Sequence, residues 1–119
     1  MLKKKIKPLL PSLREKKRYL AFEVLSKAKI NAESIEQKIL DSSLNYLGQK
    51  GVSKAGIMVL KDKYNQELQK GLIRVNNKEV SNVRSALALI DKIDEQKVIV
   101  RTVGVSGILK KALSKYIAG

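Results

Sequence analysis

The spacing of apolar residues along this 119-residue chain switches between the two-residue period of a strand and the roughly 3.6-residue period of a helix. In the segment Tyr19–Leu25, Leu20, Phe22 and Val24 fall on one side and Glu23 on the other, which predicts a first strand over about 18–26. Asn31 is placed to cap a helix over about 32–48, with Glu33 and Glu36 near its positive end. Leu40, Leu44 and Leu47 form the expected apolar stripe of that helix, widened by Ile35 and Ile39, and Gly48 and Gly51 offer stops. The continuous run Ile57–Leu60 predicts a second strand within 54–63, covered on both sides. A third strand is expected over 68–75, where Leu72 and Arg74 alternate with Ile73 and Val75. Asn76 and Asn77 break it and cap a second helix, about 78–93, buried through Val80, Val83, Leu87 and Ile90. The fourth strand is expected over 97–103. Gly104–Gly107 then reads as a turn, and Ser106 as the N-cap of a last helix over 107–117.

The predicted order is β-α-β-β-α-β followed by a C-terminal helix. That is the split βαβ, ferredoxin-like α+β sandwich, also the scaffold of RNA recognition modules: a four-stranded antiparallel sheet with two helices on one face. Residues 17–119 are expected to form this single domain. Residues 1–16, with Pro8, Pro11 and a lysine cluster, are expected to form a flexible basic arm.

Charge narrows the function. The net charge is +14, and a polyanionic partner is the natural counterweight to that much self-repulsion. Residues 1–18 hold eight cationic side chains and one acid, and 105–119 hold three lysines and no acid, so both ends of the chain are basic. The sequence lacks Cys and His, which excludes disulfides, thiolate metal sites and a histidine general base, and suits a reducing compartment. No apolar run approaches the roughly 20 residues needed to span a bilayer. A cytoplasmic protein without membrane contact is expected.

Catalytic chemistry finds no support in the side chains: Ser and Tyr have no histidine partner, and Asp91, Asp94 and Glu95 read as solvated turn residues. No catalysis by the chain itself, no metal site and no cofactor are expected. RNA contact is better supported. Arg14, Lys16, Lys17 and Arg18 lead a basic arm into the first strand. Arg74 and Arg101 lie inside strands, where arginine is unexpected unless that side of the sheet is wet or binds something. Ser106 and Gly107, ahead of a helix carrying Lys110, Lys111 and Lys115, have the makings of a phosphate site. The third strand lacks aromatics, so recognition of shape and phosphate is expected in place of base stacking. A structural RNA binder of another ribonucleoprotein, such as the ribosome, and a ligand-binding regulatory module remain alternatives on these features alone.

Four segments carry a resemblance: 17–23 (KRYLAFE), 70–75 (KGLIRV), 83–90 (VRSALALI) and 100–112 (VRTVGVSGILKKA). Occurring in this order, they resemble archaeal ribonuclease P protein component 2 from about Pro11 to Tyr116; the first helix adds nothing to the match. The resemblance implies a subunit of an endoribonuclease holoenzyme that removes the 5′ leader from precursor tRNA. It implies that the RNA, with bound Mg²⁺, performs the phosphodiester hydrolysis. It also implies pairing with ribonuclease P protein component 3, two such pairs joining through this subunit into a heterotetramer. Arg18, Arg74, Arg101, Gly104, Ser106, Gly107, Lys110 and Lys111 lie on the matched segments, and the cationic ones are expected to face RNA.

Overall fold

A computed structural model describes residues 16–118, so the expected arm and Arg14 within it lie outside the described residues. The central strand β1, Lys17–Leu25, is the segment whose alternation was clearest. It pairs antiparallel with β3, Lys70–Asn76, on one side and with β6, Ile99–Ser106, on the other. The short β2, Met58–Val59, pairs with the outer edge of β3, giving the antiparallel order β2-β3-β1-β6. This is the ferredoxin-like sheet the element order predicted.

Helix α1, Ala32–Ala55, opens on Asn31, whose side chain accepts from the Ser34 amide at 2.8 Å, as the cap pattern required. Its length departs from expectation. Gly48, at φ 76° and ψ 171°, leaves helical geometry at the position expected to stop the helix, but a second helical stretch continues across this kink to Ala55. The stop is Gly56, at φ 59°, whose amide closes onto the Val52 carbonyl. Seven residues expected in or before the second strand are therefore helical, and β2 shrinks to two residues at the sheet edge. Met58 is 46% exposed, so the strand is not covered on both sides.

The buried face of α1 keeps Ile35 and Ile39, as expected, and Leu47 packs against the core, but its centre is shifted. Ile35, Ile39 and Ser43 point inward, while Leu44 is 43% exposed. Small residues at 42 and 43 let α1 approach helix α2, Val80–Ala88, closely enough for the Ser42 hydroxyl to donate to the Ala86 carbonyl at 2.7 Å. Helix α2 is shorter than predicted. The expected final turn is replaced by a hairpin, β4 (Lys92–Ile93) and β5 (Gln96–Lys97), with Asp94 and Glu95 at positive φ in its tip.

Both helices cover one face of the sheet over Leu20, Phe22, Val24, Ile73, Val75 and Val100. Fully burying side chains of this size contributes about 1.5–3 kcal/mol each. Tyr64 closes the edge of this core, stacked on Phe22 at 6.4 Å between ring centres. Its hydroxyl is buried without a partner, and burial pushes the phenol up to about 12. Gln69, 5% exposed and at φ 52°, ties the end of β1 to the segment before α1. Its carbonyl oxygen accepts from the Ile30 amide at 2.7 Å, and its amide nitrogen donates to the Val24 carbonyl and the Ser26 hydroxyl.

The opposite face is not open. Helix α3, Leu109–Ala112, runs on through a wider π-type turn, Leu113–Ile117, and lies across the sheet over Ala21 and Leu72. A β-bulge makes this fit. Ala21 pairs with Gly104 but Phe22 pairs with Thr102, so Val103 is the extra residue. The bulge reverses the inside-outside alternation of β6. Val105 therefore packs into the helix-side core, and Gly104 turns toward the C-terminal segment. The Tyr116 ring lies directly on Gly104, where a Cβ would come within 2.3 Å of it.

Candidate nucleic-acid interface

The start of β1 is where basic side chains converge with the end of β6. Lys16, Lys17, Arg18 and Tyr19 line an open groove of about 450 Å³ together with Gly107 and Ile108. The Lys16 carbonyl accepts from the Asn77 amide at 2.8 Å, so the sheet continues one residue past Asn76 and holds this corner in place. Lys17 donates through Nζ to Oδ1 of Asn76, a fully buried residue whose own amide donates to the Lys54 carbonyl at 2.7 Å. Arg18 is half-buried. Its Nε donates to Asn77 Oδ1 at 2.8 Å, and its Nη1 lies over Gly107, where a Cβ would meet it at 2.5 Å. Among the sequence-predicted residues, Lys16, Lys17, Arg18 and Gly107 are thus brought together; Asn77 was expected only as a cap.

The remaining predicted residues separate into two settings. Arg101 sits on the C-terminal-segment face and is neutralised there. Its Nη2 lies 2.7 Å and its Nε 2.9 Å from one Glu23 carboxylate oxygen, and Glu23 is its register neighbour on β1. Arg74, on the same face, stands between Tyr19 and Met58 with its Nε buried and without an acceptor. Lys110, Lys111 and Lys115 are exposed on the C-terminal segment, Lys115 lying 5.5 Å from the centre of the Tyr116 ring.

The glycine-flanked turn differs from expectation. Gly104, Val105 and Ser106 belong to β6, and only Gly107 and Ile108 turn. The helix that follows is capped by Ile108, without a side-chain cap, so Ser106 is not its N-cap; the Ser106 hydroxyl instead accepts from the Ile108 amide at 3.1 Å. Extending the strand leaves no long helix N-terminus here to cradle an anion, and Gly104 is explained by the ring packed on it.

A second groove, between the N-terminal half of α1 and the β4–β5 tip, has the opposite character, with Glu33, Asp41, Asp94 and Glu95 beside Lys38 and Lys92. Among the described residues no group of three His, Cys, Asp or Glu side chains is placed to hold a metal. Nor is any helix among them long and apolar enough to cross a membrane.

The fold and site define a split βαβ sandwich with a basic groove at the head of its central strand. Its affiliation is narrower than that. The chain belongs to the Rpp14/Pop5 family of ribonuclease P protein subunits, whose family model matches residues 18–117. It is 36% identical over 117 residues to ribonuclease P protein component 2 of Thermococcus kodakarensis, covering 98% of this chain and 96% of that protein. The component 2 proteins of Pyrococcus furiosus and Methanosarcina mazei are each 36% identical over 112 residues; both matches cover 94% of this chain, and 92% and 93% of those proteins respectively. A chain in the cryo-EM structure of yeast ribonuclease MRP shares the fold, with a TM-score of 0.61, 14% identity, and coverage of 91% of this chain and 88% of that one. The resemblance carried by the four ordered segments is thereby borne out.

Proposed function

We propose that this chain binds the ribonuclease P RNA and supports it in removing the 5′ leader from precursor tRNA. The observation that carries this reading is the groove joining Lys16, Lys17 and Arg18 to Gly107 and Ile108. It gathers positive charge on a rigid sheet corner, and Lys110, Lys111 and Lys115 on the neighbouring segment extend the same sign. Cations fixed in this way contact phosphates and release counterions, which supplies affinity without reading base sequence. The C-terminal segment lies where a base-stacking platform would otherwise be, which supports contact through phosphate and shape.

In this reading the hydrolysis belongs to Mg²⁺ held by the RNA, and the protein binds no cofactor of its own. Its protein partner is ribonuclease P protein component 3, two such pairs joining through this subunit in the cytoplasm. The apolar side chains left exposed on the helices, Leu44 and Tyr46 on α1 and Leu89 just after α2, supply a surface of the kind a protein partner covers.

The test is multiple-turnover cleavage of a precursor tRNA by the cognate RNA at limiting Mg²⁺, with and without this chain and a component 3 partner. Stimulation that disappears when this chain is omitted is expected. Equal cleavage with and without it, at both limiting and optimal Mg²⁺, refutes the proposal; ribosomal RNA co-purifying in place of ribonuclease P RNA points to a different ribonucleoprotein.

A further inference from the structure

Three arginines stand on the strands of the sheet, and their surroundings set them apart. Arg101 is paired with the Glu23 carboxylate, which cancels its charge locally. Arg74 has its Nε enclosed between neighbouring strands. Arg18 alone of the three is oriented by neutral groups on two sides. Its Nε is held by the amide oxygen of Asn77, at 2.8 Å, which fixes the guanidinium without neutralising it. On the other side the plane rests on Gly107, with Nη1 2.5 Å and Cζ 3.6 Å from where a Cβ would stand. Among the described residues no carboxylate forms an ion pair with it.

The geometry points to Arg18 as a preorganised fork for one phosphodiester of the RNA backbone, with Asn77 and Gly107 as its positioning residues. A guanidinium presents parallel N–H groups that match two phosphate oxygens, and this side chain's rotamer freedom is already restricted before RNA arrives. Gly107 is needed because any side chain there would occupy the space of the guanidinium. Asn77 is needed because an amide oxygen orients the donor while leaving its charge for the ligand. The diester lies in the groove between Lys16 and Ile108, where Lys16 adds a second positive charge. This inference rests on the RNA-binding reading and assigns its central contact.

The experiment measures ribonuclease P RNA affinity by filter binding over a salt series, using the full chain and three substitutions. Arg18→Lys keeps the charge and removes the fork, so affinity is expected to fall about five- to tenfold with the salt slope unchanged. Gly107→Ala displaces the guanidinium at constant charge and is expected to do the same. Asn77→Asp converts Arg18 into a paired arginine like Arg101; it is expected to weaken binding and to reduce the salt slope by about one. Circular dichroism and urea midpoints identify any variant that has lost the fold; Arg18→Lys, the mildest change, decides the matter alone if the others have. Arg18→Lys binding as tightly as the native chain overturns the fork while leaving the RNA-binding reading intact. Native chain with no salt-sensitive affinity for the RNA overturns both.

Discussion

Replacing Gly104 with alanine tests how the C-terminal segment is seated. The backbone at 104 is not left-handed, so alanine is conformationally allowed there and the effect is steric. The new methyl would lie 2.3 Å from Cζ of Tyr116 and 2.4 Å from its Cε1 and Oη, inside any real carbon contact. Relief requires the ring to leave, and the ring shares an apolar cluster with Leu109, Ala112, Leu113 and Ile117 over Ala21 and Leu72. Overpacking of this kind costs about 1–3 kcal/mol. Restricting the unfolded chain by a glycine-to-alanine change offsets about 0.4–1 kcal/mol of that. A net loss of about 1–2 kcal/mol is expected, or roughly 4–8 °C in Tm for a domain near this size. Urea denaturation of Gly104→Ala, Tyr116→Ala and the double variant provides the assay. Removing the ring removes the clash, so the two changes are expected to couple by about 1 kcal/mol or more. Additivity within about 0.5 kcal/mol, or a Gly104→Ala chain as stable as the native one, refutes the argument.

Further outcomes follow from the buried polar groups and the exposed lysines. Gln69→Leu strands the Ile30 amide and the Val24 carbonyl, and is expected to cost about 2–4 kcal/mol by urea denaturation; a loss below about 1 kcal/mol contradicts the role given to this side chain. Tyr64→Phe removes a hydroxyl that has no partner and is expected to leave stability unchanged or raise it; a clear loss means the hydroxyl is bonded in solution. Because the native phenol titrates near 12, above its ordinary value of 10.0, its neutral form favours the fold fully below pH 10, and that contribution fades as pH rises toward and through 12. Absorbance titration of tyrosinate is expected to show a component ionising above pH 10 that is missing from Tyr64→Phe. The double change Lys110→Glu with Lys111→Glu is expected to weaken RNA binding and flatten its salt dependence, with stability within about 0.5 kcal/mol of native because both side chains are exposed. Native affinity in the folded double variant removes the C-terminal segment from the interface.

The elements that could be read from sequence are those whose periodicity coincides with burial. Leu20, Phe22 and Val24 alternate on the central strand, and Val83 and Leu87 share one helical face, so β1 and α2 stood out. Helix α1 was legible together with Ile35, Ile39 and Leu47 on its inner side, but the centre of its buried face was not. Its leucines outnumber its isoleucines, yet Ile35, Ile39 and Ser43 form the contact because closeness to α2, not apolar count, selects the face. The β4–β5 hairpin left no signal, since two-residue strands are too short to show a period and Asp94-Glu95 lacks the glycine that marks such a tip. At the candidate site, charge alone pointed to Lys16, Lys17 and Arg18. Separating Arg18 from Arg101 needed the register, which puts Glu23 opposite one of them and Gly107 beside the other. Nothing local to Arg101 announces a partner 78 positions away.

The extra residue in β6 makes strand length, more than strand composition, the constrained quantity in this part of the chain. Substituting Val103, which is 36% exposed, leaves the alternation intact. Deleting it would rotate everything after it by one step, exposing Val105 and carrying the Gly107 turn to the wrong side of Arg18. Insertions and deletions among members of this family should therefore be absent between Ile99 and Gly107 even where residue identities drift. They should gather instead at the tip of the β4–β5 hairpin, where a change in length shifts nothing that follows.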